Sequence, residues 1–299
     1  MEAADAARAP AAARSPGSGA DGAVAIVAGA GRLPLLIAEA LERAGRPCRI
    51  LAIRGFADAP VRRRAEAAVD LLDIRGALAH LAAWAPAGVT LAGAVARPSP
   101  AALLNTLAAY RNRDTLRALA SGGDDRLLRG VLDLLEEQGH RILGVHELAP
   151  DLMAPPGLLG RVAPLGAAPA SIAAGRALLA SLSPHDVGQA AVVAEQRVLA
   201  VEGPEGTDRM LARTRALARR PLGLGRAPAG MVLVKEAKAG QDLRVDLPAI
   251  GPRTIRRAAA AGCDGLAVGA GTTLILDREE TTAVADRLGL FLLGLETAP

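Results

Sequence analysis

Aromatic side chains are nearly missing from this chain, with one Trp, one Tyr and two Phe in 299 residues. Stacking on exposed bases is therefore almost unavailable, which argues against a single-stranded nucleic-acid binder. Cysteine is as scarce. Cys48 and Cys263 show no zinc-site spacing and no disulfide framework, so a reducing cytoplasm is expected. The four histidines form no cluster; His146 and His185 are isolated and read as structural or surface residues. The segment 1–22 lacks an apolar stretch and mixes acids with its arginines, so it reads as a disordered tail rather than a signal. Long apolar runs are also lacking. Ala77 to Ala96 carries no formal charge, but Pro86, Gly88 and Thr90 interrupt it and His80 sits inside. It reads as a helix end, a turn and a buried strand, not a membrane span.

What is abundant is small and apolar. Hydrophobic residues make up 51% of the chain, so the cores are expected to be built from Ala, Leu and Val. The net charge of +4 comes with a pI near 9.8, a balance that suits anionic ligands or a membrane surface without selecting either.

The folded part opens with "AVAIVAGAGRLPLLIAEALERAG". Ala23 to Ala28 reads as a buried strand, "GAGRLP" as a loop, and Leu35 to Ala44 as a helix stopped by Gly45. "CRILAI" follows as a second strand, which makes a β-α-β unit and implies a parallel sheet. "VTLAGAVA" and "HRILGV" repeat the strand signal on either side of the helix "DDRLLRGVLDLLEEQG". The expected fold class is α/β: a Rossmann-like N-terminal domain over 23–150, a linker carrying a helix over 151–183, and a C-terminal α/β catalytic domain over 184–299. In that last part "GQAAVVAEQRVLAV" reads as a hairpin around Glu195 and Gln196. "GTTLILD" and "LFLLGL" read as strands, and Asp277 with Glu280 as a capping box.

Several short stretches carry chemistry. Gly29 and Gly31 supply two of the three glycines of a dinucleotide loop, and a strand–Gly-x-Gly–helix turn offers backbone N–H groups to phosphate. The third glycine of that pattern is absent, and the second strand ends "AIRG", without an acid for a ribose. A sharp turn with no ligand and a contact to a nucleotide or sugar phosphate both remain open. Gly122, Gly123, Asp124 and Asp125 precede a helix; one acid serves as N-cap, which leaves the second to be explained. Glu202, Glu205, Thr207 and Asp208 lie between strand and helix, where Thr207 caps the helix or the carboxylates meet a metal or a sugar hydroxyl.

The densest cluster is "KAGQDLRVDLPAIGPRT", Lys238 to Thr254. Lys235 ends the apolar strand before it, so its ammonium should emerge at the carboxyl edge of a sheet, where open α/β folds bind ligands. Arg244 and Arg253 flank Asp246, and Pro252 suits the first turn of a helix. A surface loop with weak ion pairs is one account. Cations around a carboxylate near a helix N-terminus also suit a phosphoanhydride, with Lys and Arg on the phosphates and Asp on a metal or a water.

Taken together, "VAGAGRLPLLIAEALERAGR", "GDDRLLRGVLDLLEEQG", "GVHELAPDLMAP", "DVGQAAVV", "VLAVEGPEGTDRML" and "KAGQDLRVDLPAIGPRTIRRAAAAG" resemble the LpxI family over nearly everything from Ala23 to Leu295. The resemblance implies a Mg2+-dependent pyrophosphatase that cleaves UDP-2,3-diacylglucosamine to UMP and 2,3-diacylglucosamine 1-phosphate in lipid A biosynthesis. It implies two domains with the lipid product between them, a homodimer, and a cytoplasmic enzyme that visits the inner-membrane surface. The family's essential aspartate falls on Asp246. Substrate contacts carry over to Gly29, Gly31, Gly123, Asp124, Asp125, Gln189, Thr207, Asp208 and Lys235, with Arg244 added from its charge. Metal candidates are Asp246, Asp208 and Glu205. Two positions depart from the family pattern: Ala94 stands where an Asn is frequent, and Gly122 where a Lys is frequent. The rival expectations are an NAD(P)-binding oxidoreductase built on the glycine loop and a non-catalytic carrier of a nucleotide-linked lipid.

Overall fold

The computed structural model describes residues 22–71, 73–95, 124–185, 187–218 and 229–296, with side chains omitted for 124–128 and 217–218. The tail, Gly122 and Gly123 lie outside the described residues, and of Asp124 and Asp125 only the backbone is described.

The first apolar run forms β1 (Val24–Ala28), followed by α1 (Leu33–Arg43) and β2 (Cys48–Ile53). Pro34 sits in the first turn of α1, and Gly45, at φ 68°, turns the chain away after it. A short helix α2 (Ala59–Arg64), β3 (Ala67–Val69), α3 (Ile74–Trp84) and β4 (Gly88–Ala92) complete a parallel sheet in the order β3-β2-β1-β4. The stretch from Ala77 thus contributes the end of α3, a turn and β4, as the interrupted apolar run suggested. The order reverses between β1 and β4, so the loops after those strands lie side by side at the carboxyl edge, bridged between Ala30 and Ala94.

Helix α4 (Asp124–Glu137) leads back to the open side of β4. "HRILGV" does not become a full strand there. Ile142 makes one parallel bridge to Val89, and Gly144 then turns the chain into α5 (Val145–Leu148). Val145, Leu148, Leu152 and Met153 pack with Ile37 and Leu41 of α1, so this segment closes the N-terminal core.

The C-terminal half is built on a six-stranded sheet. Its strands are β5 (Gly157–Leu158), β6 (Ala190–Ala194), β7 (Arg197–Val201), β8 (Val232–Lys235), β10 (Gly265–Gly269) and β12 (Phe291–Leu295), in the order β5-β12-β10-β8-β6-β7. β8, β10 and β12 run parallel; β6 pairs antiparallel with β8 and with β7, and β5 with β12. Glu195 and Gln196, at φ 49° and 65°, make the tight turn of the β6–β7 hairpin. A separate two-stranded ribbon joins β9 (Ala249–Ile250) to β11 (Leu274–Ile275), so "GTTLILD" contributes two strand residues rather than a long strand.

The helix expected in the linker is α6 (Ala168–Leu182). It lies on the C-terminal sheet, burying Ala168, Ile172 and Leu179 against Val193, Val232 and Val234. Small residues permit this approach: a Cβ at Gly175 would stand 2.6 Å from Val234 Cγ2. The opposite face is covered by α7 (Thr207–Ala218), α8 (Pro252–Ala261) and α9 (Arg278–Arg287), whose Met210, Leu211, Ile255, Ala258 and Val284 join Leu233 and Leu266. α8 starts at Pro252 and ends at Gly262, φ 91°. The expected capping box at α9 is not formed. Asp277 adopts φ 44° and makes no side-chain cap bond; its carboxylate instead accepts from Arg32 Nε at 3.2 Å. That ion pair ties the glycine loop to the C-terminal half.

Candidate functional site

The antiparallel register sets Ala190 of β6 beside Lys235 of β8, which gathers one group of polar residues at one sheet edge. Gln189 precedes β6, Glu202 follows β7, Thr207 opens α7 and Lys235 closes β8. The chain is clamped there by backbone bonds: Glu236 N–H donates to Gln189 O at 3.1 Å, and Gly188 N–H to Glu202 O at 3.0 Å. Gly188 has to be glycine, because a Cβ would stand 2.4 Å from that same carbonyl oxygen.

Side chains continue the connection. Lys235 Nζ donates to Thr207 Oγ1 at 2.7 Å, and Thr207 Oγ1 donates to Glu202 Oε1 at 2.5 Å. Glu202 Oε2 accepts from the Gln189 N–H at 3.0 Å, and Gln189 Nε2 donates to Asp246 Oδ2 at 3.2 Å. Gln241 Nε2 also donates to Asp246 Oδ2. Thr207 is therefore a link between a lysine and a carboxylate rather than a side-chain cap. Lys235 is 7% exposed and Glu202 8%, so both charges sit in a setting where ions need partners. Burial lowers the Lys235 pKa, and Glu202, Asp208 and Asp246 oppose that shift.

The remaining charges of the segment pin it down. Arg244 binds Asp242 through Nε and NH2, at 3.0 Å and 2.7 Å, and Glu136 of α4 through NH1 at 2.6 Å. These carboxylates raise the Arg244 pKa, and Arg244 in turn lowers that of Asp242. Arg253 and Arg257, one turn apart on α8, hold the Asp208 carboxylate at 2.7 Å and 3.2 Å. Glu205 pairs with Arg213 at 2.8 Å. Of the site residues named from sequence, Gln189, Thr207, Lys235 and Asp246 thus form one connected network. Arg244, Asp208 and Glu205 are engaged in ion pairs of their own.

The glycine loop is occupied by the chain itself. Gly29 N–H donates to Ala92 O and Ala30 N–H to Ala94 O, each at 2.8 Å, while Gly31 N–H donates to Asp58 Oδ2 at 2.7 Å. Gly29 meets the β4 loop closely, since a Cβ there would stand 2.5 Å from Ala94 O, and Gly31 has φ 94°. Gly29 thus has a steric reason and Gly31 a conformational one.

Among the described residues, no group of three His, Cys, Asp or Glu side chains is placed to hold a metal ion. Both oxygens of Glu202 and of Asp208 already have partners. Asp246 accepts from the side-chain amides of Gln189 and Gln241. Glu202 was visible in the sequence as one of four polar residues after a strand; its central place was not. Gln241 was missed, and its one signal is its position in the charged segment five residues before Asp246.

Fold and site together define a two-part α/β protein with a buried lysine–hydroxyl–carboxylate chain at the carboxyl edge of its second sheet. As family models, the LpxI N-terminal domain matches residues 23–152 and the LpxI C-terminal domain residues 155–293. The chain belongs to the LpxI family. It is 40% identical over 271 residues to the UDP-2,3-diacylglucosamine pyrophosphatase LpxI of Caulobacter vibrioides (strain ATCC 19089 / CIP 103742 / CB 15), covering 91% of this chain and 96% of that protein. Among solved structures, glycinamide-RNase-transformylase T from Mycobacterium tuberculosis is similar at 20% identity and a TM-score of 0.21, over 61% of this chain and 44% of that one.

Proposed function

We propose that this protein hydrolyses the diphosphate of UDP-2,3-diacylglucosamine, releasing UMP and 2,3-diacylglucosamine 1-phosphate for lipid A biosynthesis. The observation that carries the reading is the 40% identity, across nearly the whole length of both chains, to a pyrophosphatase named for that substrate. The polar edge supports it: a buried ammonium suits an anionic ligand, and Asp246, on the loop that follows, is bonded to Gln189 at the same edge. In this reading Gln189, Thr207 and Lys235 line the head-group site: Lys235 binds the diphosphate, the Thr207 hydroxyl holds the Lys235 ammonium, Gln189 orients Asp246, and Asp246 binds magnesium or aligns water. Magnesium supplies charge neutralisation of the phosphoanhydride when bound.

Gly29, Gly31, Gly123, Asp124 and Asp125 belong to the same proposal as contacts from the N-terminal half, with Asp208 and Arg244 shaping the site through their ion pairs. Homodimerisation and transient contact with the cytoplasmic face of the inner membrane complete it. The diacylated substrate supports the membrane contact. No helix among the described residues is long and apolar enough to cross a membrane.

Phosphorus NMR of UDP-2,3-diacylglucosamine with purified protein tests the reading. Appearance of UMP and a sugar phosphate, lost with a chelator and restored by magnesium, is the expected result. Binding without turnover would leave a carrier, and NAD(P) binding without cleavage would leave an oxidoreductase.

A further inference from the structure

Lysine is rare here: of the 35 Lys and Arg residues, only Lys235 and Lys238 are lysine. Of the two, Lys235 is the buried one. An arginine fork would present five donors to a place where one ammonium meets one hydroxyl. What fixes that ammonium is the residue behind the hydroxyl, Glu202.

We propose that Glu202 is a positioning residue of the head-group site: it accepts the hydrogen bond of the Thr207 hydroxyl, so that the Thr207 oxygen is held as an acceptor toward Lys235. The inference rests on the functional reading above for what the site binds, but its geometry stands alone. A threonine hydroxyl has one proton and two lone pairs. The hydroxyl donates to Glu202 Oε1 at 2.5 Å, and Lys235 Nζ then has a lone pair to donate to at 2.7 Å. Glu202 Oε2 is fixed by the Gln189 N–H at 3.0 Å, and the neighbouring Gln189 side chain reaches Asp246. One buried carboxylate thereby sets the Thr207 hydroxyl, the Lys235 ammonium and the backbone that carries Gln189. Lys235 also feels Asp208 and Asp246, so Glu202 is the member of three carboxylates that connects to it through a hydroxyl.

Glu202→Gln tests this. The amide keeps the shape but has one acceptor oxygen for two donors, the Thr207 hydroxyl and the Gln189 N–H. The probe is protein grown with lysine carbon-13 labelled at Cε, which gives two signals from the full-length chain. In Glu202→Gln the Lys235 signal titrates at lower pH than in wild type, because a buried counter-charge is lost. With substrate, kcat/KM falls on the order of tenfold to a hundredfold, as for a lost charge-assisted hydrogen bond, and its alkaline limb moves to lower pH. Glu202→Asp, which keeps the charge, restores part of both.

An unmoved Lys235 signal in folded Glu202→Gln overturns the proposal, as does a displaced signal with an unchanged pH–rate profile in an active enzyme. Should Glu202→Gln fail to fold, Thr207→Val removes the bridging hydroxyl at constant shape and is read the same way. An unmoved signal there, or failure of both variants to fold, leaves Glu202 a structural residue and the proposal wrong. If wild type does not cleave the nucleotide-lipid, the functional reading fails by itself; the lysine signals, recorded without substrate, still decide the coupling.

Discussion

Gln189 and Asp246, 57 residues apart, are joined by a hydrogen bond of 3.2 Å from the Gln189 side-chain amide to Asp246 Oδ2. The bond fastens a loop to the edge of a sheet whose strands β6 and β8 are buried throughout. A carboxylate on a mobile loop would pay entropy to reach a fixed geometry at every turnover. Here two amides, from Gln189 and Gln241, hold it in advance.

Asp246→Ala is therefore expected to lower turnover of UDP-2,3-diacylglucosamine by a factor on the order of 10² or more. It leaves two amides without their acceptor, which costs about 1 kcal/mol of stability. Single-turnover cleavage and thermal melting, measured together, check both. A variant that melts near wild type and cleaves at near wild-type rate removes Asp246 from the chemistry.

The parts of this arrangement that were readable from sequence are those set by neighbours along the chain. Continuous apolar runs gave β1, β2 and β8; Pro252 and Gly262 bounded α8; the Glu195–Gln196 turn separated two short strands. The parts that were not readable depend on residues far away. Arg244 looked like a cation for phosphate, yet its guanidinium is engaged by Asp242 and by Glu136, 108 residues distant. Asp277 had the spacing of a helix cap, yet the pull of Arg32, 245 residues away, goes with a left-handed backbone that forgoes the cap. The Pro- and Gly-rich stretch before α6 looked like a linker because punctuation residues mark both linkers and sheet edges; here it supplies β5.

Gly29→Ala is expected to destabilise the protein by about 1–3 kcal/mol, with or without substrate. The added methyl would meet Ala94 O at 2.5 Å and Val95 Cγ2 at 2.8 Å. The first is backbone in the bridge between Ala30 and Ala94 and cannot turn aside. Urea denaturation of the unliganded variant is the measurement. Unchanged stability combined with weaker substrate binding would mean that this glycine is kept for ligand approach instead.

The two thiols should differ in reactivity. Burial pushes Cys263 up to about 12, aided by Asp264, and the residue is 5% exposed. Cys48 is half-buried, and burial with Glu42 raises its pKa as well. A thiol-specific disulfide reagent at pH 8 should modify Cys48 slowly and Cys263 only after unfolding, because the thiolate is the attacking species. Native Cys48→Ser should then show no reactive thiol; rapid labelling of that variant would place Cys263 on an accessible surface.

The last expectation concerns how Lys235 links stability to pH. Its pKa in the folded protein lies below the ordinary 10.5, chiefly through burial, with Glu202, Asp208 and Asp246 opposing. Between the folded value and 10.5 the unfolded chain binds more protons at this position than the folded chain. Stability attributable to Lys235 must therefore rise with pH across that window, and be lowest below it, where the folded protein carries the buried charge. Other groups titrate there too, including Cys263, so the comparison has to be differential. Thermal melting of wild type and Lys235→Met from pH 7 to pH 10 supplies it, since every shared group cancels. The wild-type melting temperature should climb relative to the variant as pH increases. A flat difference would show that Thr207 and the surrounding carboxylates hold the ammonium as well as water does; a difference that falls with pH would show that they hold it better, and that burial is not the governing effect at this lysine.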